Sequence, residues 1–169
     1  KIVDELKNKF FLDDLNTYES NQLSLYATPE NQKEVRDRIR KEIEEKMFSI
    51  KYVTRQYEMF FEDHHENIGH YFRYTYNIFK YIDKNIKSEK YRKYYISLLQ
   101  AQLSNDELSL LFYNALSKFG KYNNGKGILL NWFDNNNFLE NVDDKSLMTK
   151  PHFKFYPKTK FKFVEYHLQ

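Results

Sequence analysis

The chain has no cysteine, which excludes a disulfide framework and any cysteine-based zinc site. A reducing, intracellular setting fits that lack. No apolar run approaches the roughly eighteen residues that a bilayer demands, so nothing in this stretch spans a membrane as a helix. A strong charge of one sign is also missing. Lys and Arg exceed Asp and Glu by only three, too slight a bias to announce nucleic acid. Alanine and glycine are scarce while Lys, Asn, Tyr, Phe and Ile abound. That is the signature of an AT-rich coding sequence, and it explains the lysines as well as a ligand would.

What is present is aromatic. Fifteen Phe and fifteen Tyr can fill the core of one domain, and a chain of 169 residues buries around 70% of its unfolded surface. The expected fold is all-α, a single-domain bundle of about five to seven helices. A helical domain covers 1–145, and an extended tail over 146–169 packs on it.

The chain is organised around Gly69 to Leu116. Ile68, Phe72, Thr75, Phe79, Ile82 and Ile86 fall three or four apart and form a helical stripe. Tyr71, Tyr74, Ile78 and Tyr81 widen it toward an apolar surface on nearly every side, which makes this helix central. His70 and Arg73 project from neighbouring spots beside Asn77. A guanidinium next to an imidazole can hold a phosphate or carboxylate. Equally, His70 can bond locally while Arg73 pairs with Glu62, Asp63 or Glu66. Further on, Ser104-Asn105-Asp106-Glu107 matches a capping box. Leu108, Leu111, Phe112, Ala115, Leu116 and Phe119 follow at helical spacing, and Gly120 stands just past the helix end. Asn114 lies within or beside that apolar face, where an unpartnered amide costs roughly 1–3 kcal/mol.

Gly69-His70-Tyr71-Phe72-Arg73, the block from Tyr76 to Asp83 and the run from Leu103 to Asn114 resemble the AbiC-like group of bacterial phage abortive infection proteins, over roughly residues 57 to 133. The resemblance implies a defence role against phage and no particular chemistry. Many defence proteins of this size are helical HEPN-type ribonucleases, whose signature sets an arginine a short fixed distance before a histidine. No arginine here has a histidine so placed. Arg55 and His64 are too far apart, and Arg73 follows His70.

The rest of the chain is read in order. Residues 2 to about 26 form a helix. Thr28-Pro29-Glu30 starts another, and Val35, Ile39, Ile43, Met47, Ile50, Val53, Tyr57 and Phe60 extend it to one long helix over 29–62. Its charged first half, Lys33 to Lys46, fits a solvated face laced by ion pairs, and a long projecting helix can also dimerise. Glu62, Asp63, His64, His65, Glu66 and His70 offer metal-ligand types, although acids at a helix start serve the helix dipole equally well. Tyr91, Tyr94, Tyr95, Leu98 and Leu99 recur at helical spacing, with Arg92 and Lys93 beside them. Core packing accounts for those tyrosines better than stacking on single-stranded nucleic acid. Lys121 to Gly127 is turn material without the spacing of a phosphate-binding loop. Ile128, Leu129, Trp132, Phe133 and Phe138 are expected to form a short helix or two that dock on the 104–119 helix, with Asp134 to Asn137 as a break between them. In the tail, Phe alternates with Lys from Phe153 to Phe163, an extended pattern with one oily and one basic edge. Its two prolines exclude a central strand. Lys158, Lys160 and Lys162 are the tail's polyanion-binding candidates, and burial of its phenylalanines is the competing use.

Two functions follow. In the first, a defence effector acts on RNA through His70 as general acid or base, Arg73 stabilising the transferring phosphate and Glu107 orienting a proton, with Asn77, Asn105 and Asn114 as binding groups. In the second, a non-enzymatic sensor binds a phage component and signals to an upstream segment. No cofactor and no metal are expected. The expected partners are a phage component or RNA, and a second copy through the long helix. The location is cytoplasmic, with tethering to the inner membrane face only through a segment outside this chain.

Overall fold

The computed structural model describes residues 2–121, 127–148 and 150–165. It is all-helical, with no strand among the described residues. The helices are α1 (Ile2–Tyr26), α2 (Gln32–Met47), α3 (Ile50–Asn85), α4 (Glu89–Ala101), α5 (Asn105–Leu116), α6 (Ile128–Asn135) and α7 (Lys162–Glu165). Two 3-10 turns, Lys118–Gly120 and Lys150–Phe155, complete the ordered elements. No helix among the described residues is long and apolar enough to cross a membrane.

The long helix lies further along than the sequence suggests. Instead of running over 29–62, the chain breaks at Phe48-Ser49, where Ser49 is extended with φ −72° and ψ 119°. Apolar spacing is blind to this break because Met47, Ile50 and Val53 keep their register through it. The break frees the carbonyl of Met47, one of the last in α2 and without a partner inside that helix. His152 Nε2 donates to it at 3.0 Å. After the break, α3 runs for 36 residues, about 54 Å at about 1.5 Å per residue.

On α3 the main stripe is buried as expected. Val53, Tyr57, Phe60, Ile68, Phe72, Thr75, Phe79 and Ile82 all face the core. The second row departs from expectation, since Tyr74 and Tyr81 are each 63% exposed. Tyrosine counts as apolar in a periodicity, yet its hydroxyl lets it stand in water. The helix buried on every side is α5, where each residue from Leu108 to Ser117 is buried. Its predicted capping box is present. The Ser104 hydroxyl accepts from the Glu107 amide, and the Ser104 amide donates to Glu107 Oε2 at 2.8 Å. Asn114 meets Tyr57 near the end of α5, while Glu107 acts on Tyr71 near its start, so α3 and α5 run antiparallel.

Helix α4 buries Ile96, Leu99 and Gln100. Tyr91, Tyr94 and Tyr95 are exposed, which overturns the expectation that they pack in the core. Helix α6 packs against α5 as expected, while its Trp132 stacks on Phe79 and lies beside Tyr76 of α3, with centroids 5.9 Å away in each case. Asn137, at φ 56°, makes the expected break after α6. The turn expected at 121–127 falls mostly outside the described residues.

The tail alternates in burial without being a strand. Tyr156, Phe161 and Phe163 are buried while Lys158, Lys160 and Lys162 are exposed. Asp134 secures it: its Oδ1 accepts from the Lys158 amide, the Thr159 amide and the Thr159 hydroxyl at 2.9, 2.9 and 3.0 Å. His152 ties the tail to two further elements. Its Nε2–H must donate to the Met47 carbonyl, so Nδ1 accepts from the Tyr113 hydroxyl at 3.0 Å, which in turn accepts from the Met148 amide at 2.7 Å.

Candidate functional site

A cleft of about 410 Å³ opens where α3, the end of α5, the Lys118–Gly120 turn and α6 meet. Phe61, Phe72, Tyr76, Phe119 and Leu129 line it, and Gly69, His65, Arg73, Asn114, Lys118 and Lys121 supply its backbone and polar wall. Phe61 and Phe119 lie against each other with centroids 4.2 Å apart. The result is an aromatic body with a cationic rim.

The rim cations are not equivalent. Lys118 is neutralised from within: its Nζ donates to Glu62 Oε1 at 2.8 Å and lies 3.9 Å from Glu58 Oε2, while its amide donates to Glu58 at 2.7 Å. The Glu62 hydrogen bond holds its ammonium above the usual lysine range. The Arg73 and Lys121 side chains have no hydrogen bond or ion pair among the described residues. An arginine with no internal counter-charge at a cavity edge is free for an anion from outside.

Asn114 is 1% exposed. Its Nδ2 donates to the Tyr57 hydroxyl at 3.2 Å, and its Oδ1 accepts nothing among the described residues. Burial drives the Tyr57 phenol far above its ordinary value, against the opposing Asn114 bond, so Tyr57 stays neutral. One end of the amide is therefore fixed and the other is available to the cleft.

Gly69 completes the wall. A glycine inside a helix costs roughly 1 kcal/mol relative to alanine, and at this position a Cβ would meet only the Phe61 ring edge at 4.0 Å. Packing does not require it. What glycine provides is bare backbone facing a cavity, the arrangement that suits close approach of a ligand.

The structure thus brings Arg73 and Asn114 of the predicted site together and leaves the others outside the cleft. His70 lies roughly 60° further round α3 from Arg73 and is exposed with Asn77 on the helix's outer side. Glu107 closes the capping box at the opposite end of α5 from Asn114, and Asn105 is exposed in that same first turn. The Tyr71 phenol is raised above its usual value first by burial and then by the Glu107 charge.

Two of the tail lysines, Lys158 and Lys160, line a second cavity of about 580 Å³ together with Lys93, between α4 and the 134–140 segment. Lys158 Nζ donates to Asn135 at 2.7 Å, and Lys162 Nζ donates to Asn141 at 2.5 Å and lies 3.3 Å from Glu140. Two of the three candidates are thereby occupied by neighbouring protein groups. In the acidic-histidine segment, His64 lies 3.3 Å from Glu5 and His65 Nδ1 bonds the Glu62 carbonyl at 2.9 Å. Among the described residues no three His, Asp or Glu side chains converge on a metal-sized site.

Sequence reasoning missed Lys118, Lys121 and the role of Gly69. The two lysines follow the α5 pattern, where they read as ordinary surface charge. The signal for Gly69 was present, since a glycine in an uninterrupted helical stripe needs a reason.

An all-helical domain with an aromatic cleft and a cationic rim defines a helical bundle with a cavity, and not a reaction. A family model described as "Putative phage abortive infection protein" matches residues 63–147, half of the chain and both walls of the cleft. The chain belongs to that family. No curated protein and no solved structure matches it.

Proposed function

We propose that this domain serves in phage abortive infection as a ligand-recognition module, and that the cleft between α3, α5 and α6 takes an anionic ligand with an apolar or aromatic body. The observation that carries this reading is Arg73, a guanidinium at the edge of an aromatic cavity with no acid among the described residues to neutralise it. A cavity of about 410 Å³ is within the usual range for small-molecule sites. Asn114 and the bare backbone at Gly69 add a hydrogen-bonding group and close access. Binding is favoured over RNA cleavage because the two proton-transfer candidates, His70 and Glu107, do not line this cleft with Arg73.

Plating efficiency of phage on cells expressing the full-length protein tests the reading. Arg73→Ala abolishes protection under it. Glu107→Gln keeps both the capping box and the protection, since glutamine serves the box as well. Loss of protection in Glu107→Gln with unchanged thermal stability refutes the binding reading and restores the catalytic one.

A further inference from the structure

Positive charge is dense at the end of α3 and the start of α4. Residues 80–93 hold six cations and two acids, a net of +4, against +3 for the whole molecule. The tail is a second basic stretch, with five lysines and no acid over 150–164, but Lys158 and Lys162 there are bonded to neighbouring side chains. Within residues 80–93, Lys80, Lys84, Lys87, Lys90 and Lys93 are all exposed. Arg92 has a structural use, with Nη2 donating to the Ile86 carbonyl at 3.1 Å, so it fixes the turn between the helices.

Exposed rings occupy the same region. On α3, His70, Tyr74, Asn77 and Tyr81 follow one another at steps of four, three and four, so they form a single stripe on the side away from the core. Tyr74 and Tyr81 stand two turns apart, about 10.5 Å along the axis. His70 and Asn77 alternate with the rings as hydrogen-bonding groups. On α4, Tyr91, Tyr94 and Tyr95 are 58%, 56% and 44% exposed. A cluster of exposed aromatics marks a contact surface, and its charge selects the partner. A second copy of the same face would bring two positive segments together, which disfavours self-association. A polyanion with stackable rings matches both features.

We infer that the outer face of α3 and α4, centred on Tyr74 and Tyr81 and rimmed by Lys80, Lys84 and Lys87, binds single-stranded RNA. Bases stack on the tyrosines and phosphates meet the lysines, while His70 and Asn77 reach base edges or the ribose 2′-hydroxyl that distinguishes RNA from DNA. This surface is separate from the cleft, and the inference does not depend on the cleft's ligand.

Fluorescence anisotropy of the full chain with a labelled, unstructured 12-nucleotide RNA reads it directly. Tyr74→Ala with Tyr81→Ala weakens binding at least about tenfold, given the stacking contribution per base, and Tyr74→Phe with Tyr81→Phe keeps it within about twofold because the ring faces remain. Lys84→Glu with Lys87→Glu flattens the dependence of log K on log salt by roughly 1.4, as loss of two phosphate contacts to a single strand requires. The charge-matched pair Lys33→Glu with Lys41→Glu on α2 leaves the slope unchanged. Equal affinity of the double alanine variant overturns the inference. So does equal binding of duplex RNA or single-stranded DNA of the same length. It is likewise overturned if light scattering, without nucleic acid, shows a dimer that the alanine pair dissociates.

Discussion

Asp134 carries a testable share of the stability. It sits in the last turn of α6, where a negative charge opposes the helix dipole, and it is 9% exposed. Its compensation lies in the tail, where one oxygen gathers the Lys158 amide, the Thr159 amide and the Thr159 hydroxyl. Asp134→Ala leaves those donors without a partner. The Lys158 amide is only part-buried on an exposed residue, so that donor is left out of the sum. The two donors of Thr159, itself 8% exposed, cost about 1–3 kcal/mol each when orphaned. The expected loss is about 3 kcal/mol, a large fraction of the roughly 5–15 kcal/mol that holds a domain together. With a urea slope of about 2 kcal/mol/M, the unfolding midpoint falls by about 1.5 M. Asp134→Asn keeps an acceptor in place and loses about half as much. Hydrogen exchange locates the effect: amides over 156–163 lose protection before those of α3 and α5 do. A midpoint for Asp134→Ala within about 0.3 M of the unaltered protein, with the tail still protected, refutes the reasoning.

Other outcomes follow from single contacts. Burial lowers the His152 pKa from its ordinary 6.5, against the raising effect of its bond to the Met47 carbonyl. The stability tied to the neutral ring is therefore complete above pH 6.5 and is lost as pH falls toward the lowered folded value, because the unfolded chain takes up a proton that the folded one resists. Urea midpoints between pH 7.5 and 5.5 show this loss, and His152→Gln reduces it. Gly120→Ala places a Cβ 2.5 Å from the Ala115 Cα and from the Asn114 carbonyl oxygen, both backbone, and costs about 1–3 kcal/mol or more by denaturant unfolding. Gly69→Ala meets only ordinary contact and raises stability by about 0.5–1 kcal/mol. The same change narrows the cleft and lowers protection against phage, a separation that plating and thermal melting detect together.

The legible parts of this fold were those where one physical cause acts alone. Phe72, Phe79 and Ile82 have no use except burial, so their spacing revealed the inner face of α3. The capping box at Ser104 and Glu107 is local chemistry, and four residues suffice to write it. The same locality explains why Glu107 drew a catalytic reading: a carboxylate in a string of letters does not show that both its neighbours are already using it. Tyrosine misled for a related reason. Tyr57 and Tyr113 are buried through bonds to Asn114 and His152, residues 57 and 39 positions away, whereas Tyr74, Tyr81, Tyr91 and Tyr94 stand in solvent, and periodicity scores both groups alike.

The cleft was half legible because its two halves obey different rules. Arg73 and Asn114 stood out as polar residues that a helical stripe does not explain, and both line it. Lys121 lines it only because the Lys118–Gly120 turn folds back over α3, a contact fixed by Lys118 reaching Glu58 and Glu62 across 60 and 56 residues. That pair of acids also decides the cleft's electrostatics. By neutralising Lys118 they leave Arg73 and Lys121 as the charges a ligand meets, so replacing Glu62 strengthens anion attraction while loosening the turn that shapes the cavity. The cleft's electrostatics and its geometry are therefore set by the same ion pairs, of which Lys118 lies inside the matched stretch 63–147 and Glu58 and Glu62 lie before it.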